Sequence, residues 1–320
     1  MSYSKLIAAG GQGCIFEPQI PCKRYTKKKK KKSKHKSVSK ISFQKGSSKE
    51  EMDLCKLIKK IPDWKQWAIL WDKFCLSPPY SQLNKKSDIK KCLDKKNIES
   101  SKSQRYDMLQ GPFGGINLHE YFQKFFTKNV YHSKQLFVQE FIKIFHSMEP
   151  LFKALCDLKK YKVSHGDLSI RNVLFTKNQL FMIDFGLAYK MSNKKYINKR
   201  LEFLYQKDSI YDAYSYDYVL YDSQKNDRSL KTLQNEYEDL QNKIYRDGHE
   251  DHYRFHELIL QREDFNEELS FYMKTILDGK RYPLKPIIEE LDTYSVGMLL
   301  PTAIHDVGVE LNIDLKKKKK

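Results

Sequence analysis

His165-Gly166-Asp167-Leu168-Ser169-Ile170-Arg171-Asn172-Val173-Leu174-Phe175, followed after one turn by Phe181-Met182-Ile183-Asp184-Phe185-Gly186, is the stretch around which the rest of the chain is read. Residues 173–175 and 181–183 are apolar β-forming runs, and Thr176-Lys177-Asn178-Gln179 between them predicts a hairpin. Such a hairpin brings Asp167 and Asn172 at its entry close to Asp184 at its exit. Two carboxylates and an amide gathered at strand ends can hold a hard divalent cation against a triphosphate and take a proton from an attacking hydroxyl.

The composition fits a folded chain. Its 320 residues, 40% hydrophobic and 13% aromatic, suffice for one large domain or two modest ones. No run of about 18 apolar residues exists and residues 1–5 lack the apolar stretch of a signal peptide, so a soluble intracellular chain with no transmembrane segment is expected. Cys14, Cys22, Cys55, Cys75, Cys92 and Cys156 form no C-x-x-C pair and no metal-ligand rhythm; they are expected to be reduced thiols, mostly filling the core. The net charge of +19 is concentrated in lysines 27–32 with Lys34 and Lys36, and in the tail 316–320. Such blocks stay solvated as a disordered insertion and tail, or attach the chain to nucleic acid, acidic protein or a membrane surface, or direct nuclear import. Neither tract interleaves aromatic residues for base stacking.

In chain order, Leu6-Ile7-Ala8-Ala9-Gly10-Gly11-Gln12-Gly13-Cys14-Ile15-Phe16 reads as strand, Gly-rich turn, strand, a turn whose backbone N–H groups can approach phosphate oxygens. Residues 18–36 form an excursion. Ser37-Val38-Ser39-Lys40-Ile41-Ser42-Phe43 alternates as a strand. Residues 47–61 predict an amphipathic helix with a Ser-x-x-Glu capping box, on which Glu51 shares a face with Leu54, Cys55 and Ile58; Glu50 competes with it. Residues 64–103, with Trp64, Trp67, Trp71 and Pro78-Pro79, predict strands interrupted by a loop. Residues 106–118 read as an apolar strand ending in glycines, and 119–126 and 135–161 as helices, the second with a long apolar face assigned to the core.

The pair H-x-D-x-x-x-x-N and D-F-G resembles the signature of the eukaryotic-type protein kinase superfamily. The resemblance implies an α+β bilobal fold: an N-lobe over 1–112 with a lysine-rich insertion near 23–36, a C-lobe over 113–310 with a helical insertion near 223–290, and a lysine-rich tail over 311–320. By the same resemblance, Asp167 is the catalytic base, Asn172 and Asp184 bind Mg²⁺ or Mn²⁺, Lys40 contacts the ATP phosphates and Glu51 orients Lys40. Ile7, Ala8, Ala9, Gly10, Gly11, Gln12, Gly13, Cys14 and Ile15 roof the nucleotide, with Ala8 where the family's first glycine is expected. Val38 and Leu174 flank the adenine, whose edge is read by backbone near Gln110 to Phe113. Asp292 in Asp292-Thr293-Tyr294-Ser295-Val296-Gly297 is implied to anchor the backbone of the catalytic loop and to open a long helix.

Departures narrow the likeness. Gly166 stands in place of the H-R-D arginine, which implies activity independent of activation-loop phosphorylation. Ser169 replaces a lysine of serine/threonine kinases, and Arg171 occupies a position typical of tyrosine kinases, so the preferred hydroxyl stays open. There is no A-P-E, although residues 214–219 stand where it is expected. Gly10-Gly11-Gln12-Gly13-Cys14-Ile15-Phe16-Glu17-Pro18, H-G-D-L and the early end are similar to the divergent serine/threonine kinases of large nucleocytoplasmic DNA viruses. That likeness implies protein substrates, including basic virion or host proteins, and a place in host cytoplasm or virion. Two alternatives remain: a small-molecule phosphotransferase of the aminoglycoside or choline kinase type, and a catalytically silent scaffold that binds polyanions.

Overall fold

The computed structural model describes residues 4–10, 12–22, 36–83, 87–94, 101–129, 134–193, 197 and 284–310. Gly11, the lysine tract of 23–35, the segment 214–219, most of the helical insertion predicted near 223–290 and the tail 311–320 lie outside these residues. The protein is a mixed α+β chain that divides into two units, Met1–Gly115 with Phe181–Ala188, and Ile116–Leu180 with Tyr189–Lys320. Among the described residues, no helix is long and apolar enough to cross a membrane.

The first unit is built on a five-stranded antiparallel sheet in the order β1-β2-β3-β5-β4. Its strands are β1 (Lys5–Ala9), β2 (Gly13–Glu17), β3 (Ser37–Ser42), β4 (Lys73–Leu76) and β5 (Asp107–Pro112). Strand β3 is central and is covered on both faces, as side-chain alternation dictates. Ile41 points to a core of Phe16, Ile20, Leu83, Ile89, Leu93, Tyr106 and Met108. Lys40, one residue away and therefore on the other face, meets Glu51 of helix α1 (Ser47–Ile58).

Helix α1 forms where the apolar period predicts it, but the capping box does not. Gly46, at φ 91°, occupies the N-cap without a side-chain cap. Its N–H donates to Asp107 Oδ2 at 2.7 Å, and Ser47 Oγ–H turns back to the Gln44 carbonyl at 2.9 Å. The region expected as loop contains two helices, α2 (Tyr80–Leu83) and α3 (Ser87–Asp94), and these supply the second covering layer of the sheet.

The expectation of reduced thiols is overturned for four cysteines. Cys14 is joined to Cys92 and Cys22 to Cys75, which ties β2 to α3 and the chain after β2 to β4. Sequence spacing cannot show this, because the bridged pairs lie 78 and 53 residues apart and meet only through the sheet. Cys55 and Cys156 are free, the first buried and the second exposed.

The second unit contains β6 (Ile116–Asn117), α4 (Leu118–Asn129), α5 (Lys134–His146), α6 (Glu149–Lys160), β7 (Val163–Ser164), β8 (Val173–Thr176) and α7 (Leu284–Glu310). The predicted hairpin is present, with β9 (Gln179–Met182) returning beside β8. Lys177 and Asn178 at its tip have φ of 52° and 59°, both left-handed, as a two-residue turn of this twist requires. Strand β10 (Tyr189–Lys190) pairs with β7.

The helix expected over 135–161 is broken. Its period continues, but Pro150 sits in the first turn of α6, where a missing N–H costs nothing, and a turn at Ser147 and Met148 separates the two helices. The apolar face assigned to the core also divides: Ile144, Met148, Leu151 and Leu158 are buried, whereas Phe145 and Phe152 stand about half exposed. Helix α7 begins at Leu284, ahead of the predicted opening at Asp292.

Candidate functional site

In the first unit, Lys40, Glu51 and Asp184 come together from β3, α1 and the turn after β9. Lys40 Nζ donates to Glu51 Oε2 at 2.9 Å and to Asp184 Oδ1 at 2.6 Å. The Lys40 and Glu51 side chains are only 4% and 3% exposed, against 30% for Asp184. A buried ammonium is tolerated only when paired and hydrogen-bonded, and here two carboxylates share it. Burial alone lowers the Lys40 pKa, but the charges and hydrogen bonds of Asp184 and Glu51 outweigh it and hold the amine above its ordinary value. Burial also pushes the Glu51 carboxyl upward, opposed by the charge of Lys40 and by hydrogen bonds from Lys40 and Trp71. Glu51, not Glu50, is thus the partner of Lys40; no salt bridge to Lys40 from Glu50 occurs among the described residues.

The carboxylate of Asp184 is presented by a left-handed backbone, φ 58° and ψ 69°, and accepts the Gly186 N–H at 3.4 Å. Gly186 has no room for a side chain as the site stands. A Cβ there would lie 2.5 Å from Gln12 Oε1, 3.1 Å from Asp184 Oδ1 and 3.2 Å from Glu51 Oε2. Gln12, at the tip of the Gly-rich turn, therefore reaches the Lys40–Glu51–Asp184 cluster. The turn itself is closed by the Gly10 N–H on the Gly13 carbonyl at 2.9 Å and by the Phe43 N–H on the Gln12 carbonyl at 3.0 Å. Gly13 is required by packing, since a Cβ would overlap the Ile41 carbonyl oxygen.

The remaining nucleotide candidates of this unit divide by exposure. Cys14 and Val38 are buried, Ile15 is half-buried, and Ala8 and Ala9 are exposed; Ile7, where the β1–β2 register shifts, is exposed too. The strand expected to read adenine spends part of its backbone internally. The Gln110 carbonyl accepts from Asp72 N–H at 2.9 Å, its side-chain amide donates to the Ile20 carbonyl, and Phe113 N–H donates to the Lys36 carbonyl at 3.0 Å. The Gln110 carbonyl and the Phe113 N–H thus already have partners within the protein.

In the second unit, Asn172 Nδ2 donates to the Asp167 carbonyl at 2.8 Å and to Asp167 Oδ2 at 3.0 Å. This fixes the amide plane and turns Asn172 Oδ1 away from Asp167, as a cation ligand needs. Asp292 takes His165 N–H on Oδ2 at 2.6 Å and Gly166 N–H on Oδ1 at 3.0 Å, so both oxygens clamp the loop backbone just before Asp167. Gly166 adopts φ 68°, a conformation that an arginine or any β-substituted residue enters only with strain. Arg171 lies against the buried His119 ring, its two terminal nitrogens 3.4 and 3.3 Å from Nδ1 and Nε2. Leu174 is buried in β8, opposite Asn117.

The carboxylate of Asp184 in the first unit and the amide oxygen of Asn172 in the second are each hard donors of the type that Mg²⁺ and Mn²⁺ take. Among the described residues, no group of three or more His, Cys, Asp and Glu is poised for a metal. No protein-family model matches the chain, and no curated protein matches it.

One participant escaped the sequence reading. Trp71 Nε1–H donates to Glu51 Oε1 at 2.6 Å. Only the juxtaposition of the segment before β4 with α1 reveals it.

Proposed function

We propose that the chain is an ATP-dependent protein kinase with a bilobal kinase-type fold, transferring the γ-phosphate to protein serine or threonine hydroxyls. The observation that carries this reading is the nearly solvent-free Lys40, shared between Glu51 on a helix and the aspartate of Asp184-Phe185-Gly186. A lysine poised between two acids, beside a Gly-rich turn, is a phosphate-binding group held ready by carboxylates. A purely structural ion pair has no use for a second, partly exposed carboxylate.

In this reading Asp167 accepts the proton of the acceptor hydroxyl. The hydroxyl oxygen forms a bond to the γ-phosphorus while the bond from that phosphorus to the bridging oxygen breaks, and ADP leaves with the electron pair. Asn172 holds Asp167 in place, and Asp292 fixes the backbone that carries it. Lys40 neutralises phosphate charge, with Glu51 setting its position. Asp184 and Asn172 each offer a hard oxygen that would serve Mg²⁺ or Mn²⁺, and the ion would neutralise triphosphate charge when bound. Catalysis consists of placement and charge compensation.

The test offers γ-labelled ATP with Mg²⁺ or Mn²⁺ to basic protein acceptors and to a panel of amino alcohols and aminoglycosides. Label on serine or threonine of the protein supports the proposal. Label on the small molecules alone would assign the chain to the small-molecule phosphotransferases, and no label on any acceptor would favour a silent scaffold.

A further inference from the structure

We infer that Trp71 is a positioning residue that holds Glu51 in place while Lys40 changes partners, an inference that rests on the kinase reading above. Lys40 grips two acids, Glu51 at 2.9 Å and Asp184 at 2.6 Å. To contact a phosphate it must loosen its hold on Asp184 without losing Glu51. A glutamate on a helix, tethered only to the lysine that moves, would move with it. Glu51 has a second tether: Oε2 faces Lys40, and Oε1 accepts the indole N–H of Trp71 at 2.6 Å.

Trp71 is itself fixed on two sides. Its carbonyl accepts Lys59 Nζ from the end of α1 at 2.7 Å, and the next residue, Asp72, donates its N–H to the Gln110 carbonyl at 2.9 Å. The indole lies over Gly111 of β5, where a Cβ would sit 3.0 Å from Trp71 Cε3 and 3.3 Å from its Cα. Gly111 thus provides the space that lets the ring reach Glu51. Nearby Trp67 shows that a tryptophan here does not need an indole partner: it is fully buried and its Nε1 makes no hydrogen bond among the described residues. The Trp71 bond is a feature of the site, because it lands on the carboxylate that holds Lys40. It also favours the ionised Glu51 that burial disfavours.

The experiment compares the full chain with Trp71→Phe, measuring kcat and KM for ATP across pH and following the Glu51 carboxyl by carbon NMR. Should Trp71→Phe unfold, a β-benzothienylalanine at position 71 keeps the bicyclic shape and removes only the N–H. A lost hydrogen bond to a charged group corresponds to roughly a tenfold to hundredfold fall in kcat/KM. The expected pattern is a fall of that size, a Glu51 titration moved to higher pH, and no further loss when Trp71→Phe is added to Glu51→Gln. Losses that multiply in the double variant, or an unmoved Glu51 titration, overturn the role given to Trp71. An inert wild type overturns the kinase reading instead, and the NMR titration still decides whether Trp71 governs Glu51.

Discussion

Glu51 and Lys40 form an ion pair at 2.9 Å with almost no solvent on either side chain. Such a pair gives little net stability, because desolvation cancels most of its Coulomb gain, but removing one partner strands the other charge. Lys40→Met should therefore lower unfolding free energy by about 3–5 kcal/mol. Adding Glu51→Leu to Lys40→Met should recover most of that loss while leaving phosphotransfer abolished. Urea titrations of the three chains check this; a double variant no more stable than the single one would refute it.

The same pair sets an alkaline limit. Lys40 keeps its proton in the folded chain above the ordinary lysine value of 10.5, because the two carboxylates more than offset burial. The unfolded chain gives up that proton first as pH rises, so the contribution of Lys40 is complete below about pH 10.5 and is lost as pH climbs through the folded value. Wild type should lose more stability between pH 10 and 12 than the Lys40→Met, Glu51→Leu chain. Thermal melts across that range measure the difference.

Asp292 binds the two N–H groups that precede Asp167, and each such bond to a carboxylate contributes about 1.5–3 kcal/mol. Asp292→Ala should make the His165 and Gly166 amides exchange with solvent on the order of 100-fold faster. kcat should fall with KM for ATP little changed, since Asp292 belongs to the loop backbone and not to the phosphate contacts. Amide exchange read by mass spectrometry, with steady-state kinetics, tests both parts.

Two glycines should respond differently to alanine. At Gly13 the new Cβ meets a backbone carbonyl of the central strand, which cannot yield, whereas at Gly186 the nearest atom is the far end of the Gln12 side chain. Gly13→Ala should destabilise by at least the 1–3 kcal/mol typical of overpacking. Gly186→Ala should cost less in stability, and Gln12→Ala introduced with it should relieve part of that cost. Denaturation midpoints of the four chains decide the ranking.

Thiol chemistry should follow the cysteine assignment. In the oxidised native chain Cys156 is exposed, while Cys55 is buried and burial, with the charge of Glu51, pushes its thiol up to about 12. Iodoacetamide should label Cys156 rapidly and Cys55 only on unfolding, with Cys14, Cys22, Cys75 and Cys92 labelled only after reduction. Peptide mass mapping reads the order; native labelling of Cys14 or Cys22 without reductant would contradict the pairing.

What the sequence carried was local. The contacts of Asn172 with Asp167 and of Asp292 with the loop before it were legible because short motifs specify those residues, and the pairing of Glu51 with Lys40 followed from its place on an amphipathic face. Helix α3 was missed although Ile89, Cys92 and Leu93 have helical spacing, because the lysines and serines around them resemble a loop. The pairing of Cys14 with Cys92 and the bond from Trp71 to Glu51 depend on which strand lies beside which helix. No local pattern encodes that. The division at Pro150 was visible as a proline, but apolar residues continuing at helical intervals on both sides masked it.

The most direct test of the central claim is transfer of label from γ-labelled ATP to a protein hydroxyl by wild type, Asp167→Asn and Lys40→Met, each with Mg²⁺ or Mn²⁺. Labelled serine or threonine with wild type, a fall of about 10²–10⁴-fold with Asp167→Asn and comparable loss with Lys40→Met is the expected result. Equal labelling by wild type and Asp167→Asn, or none by wild type, would contradict it.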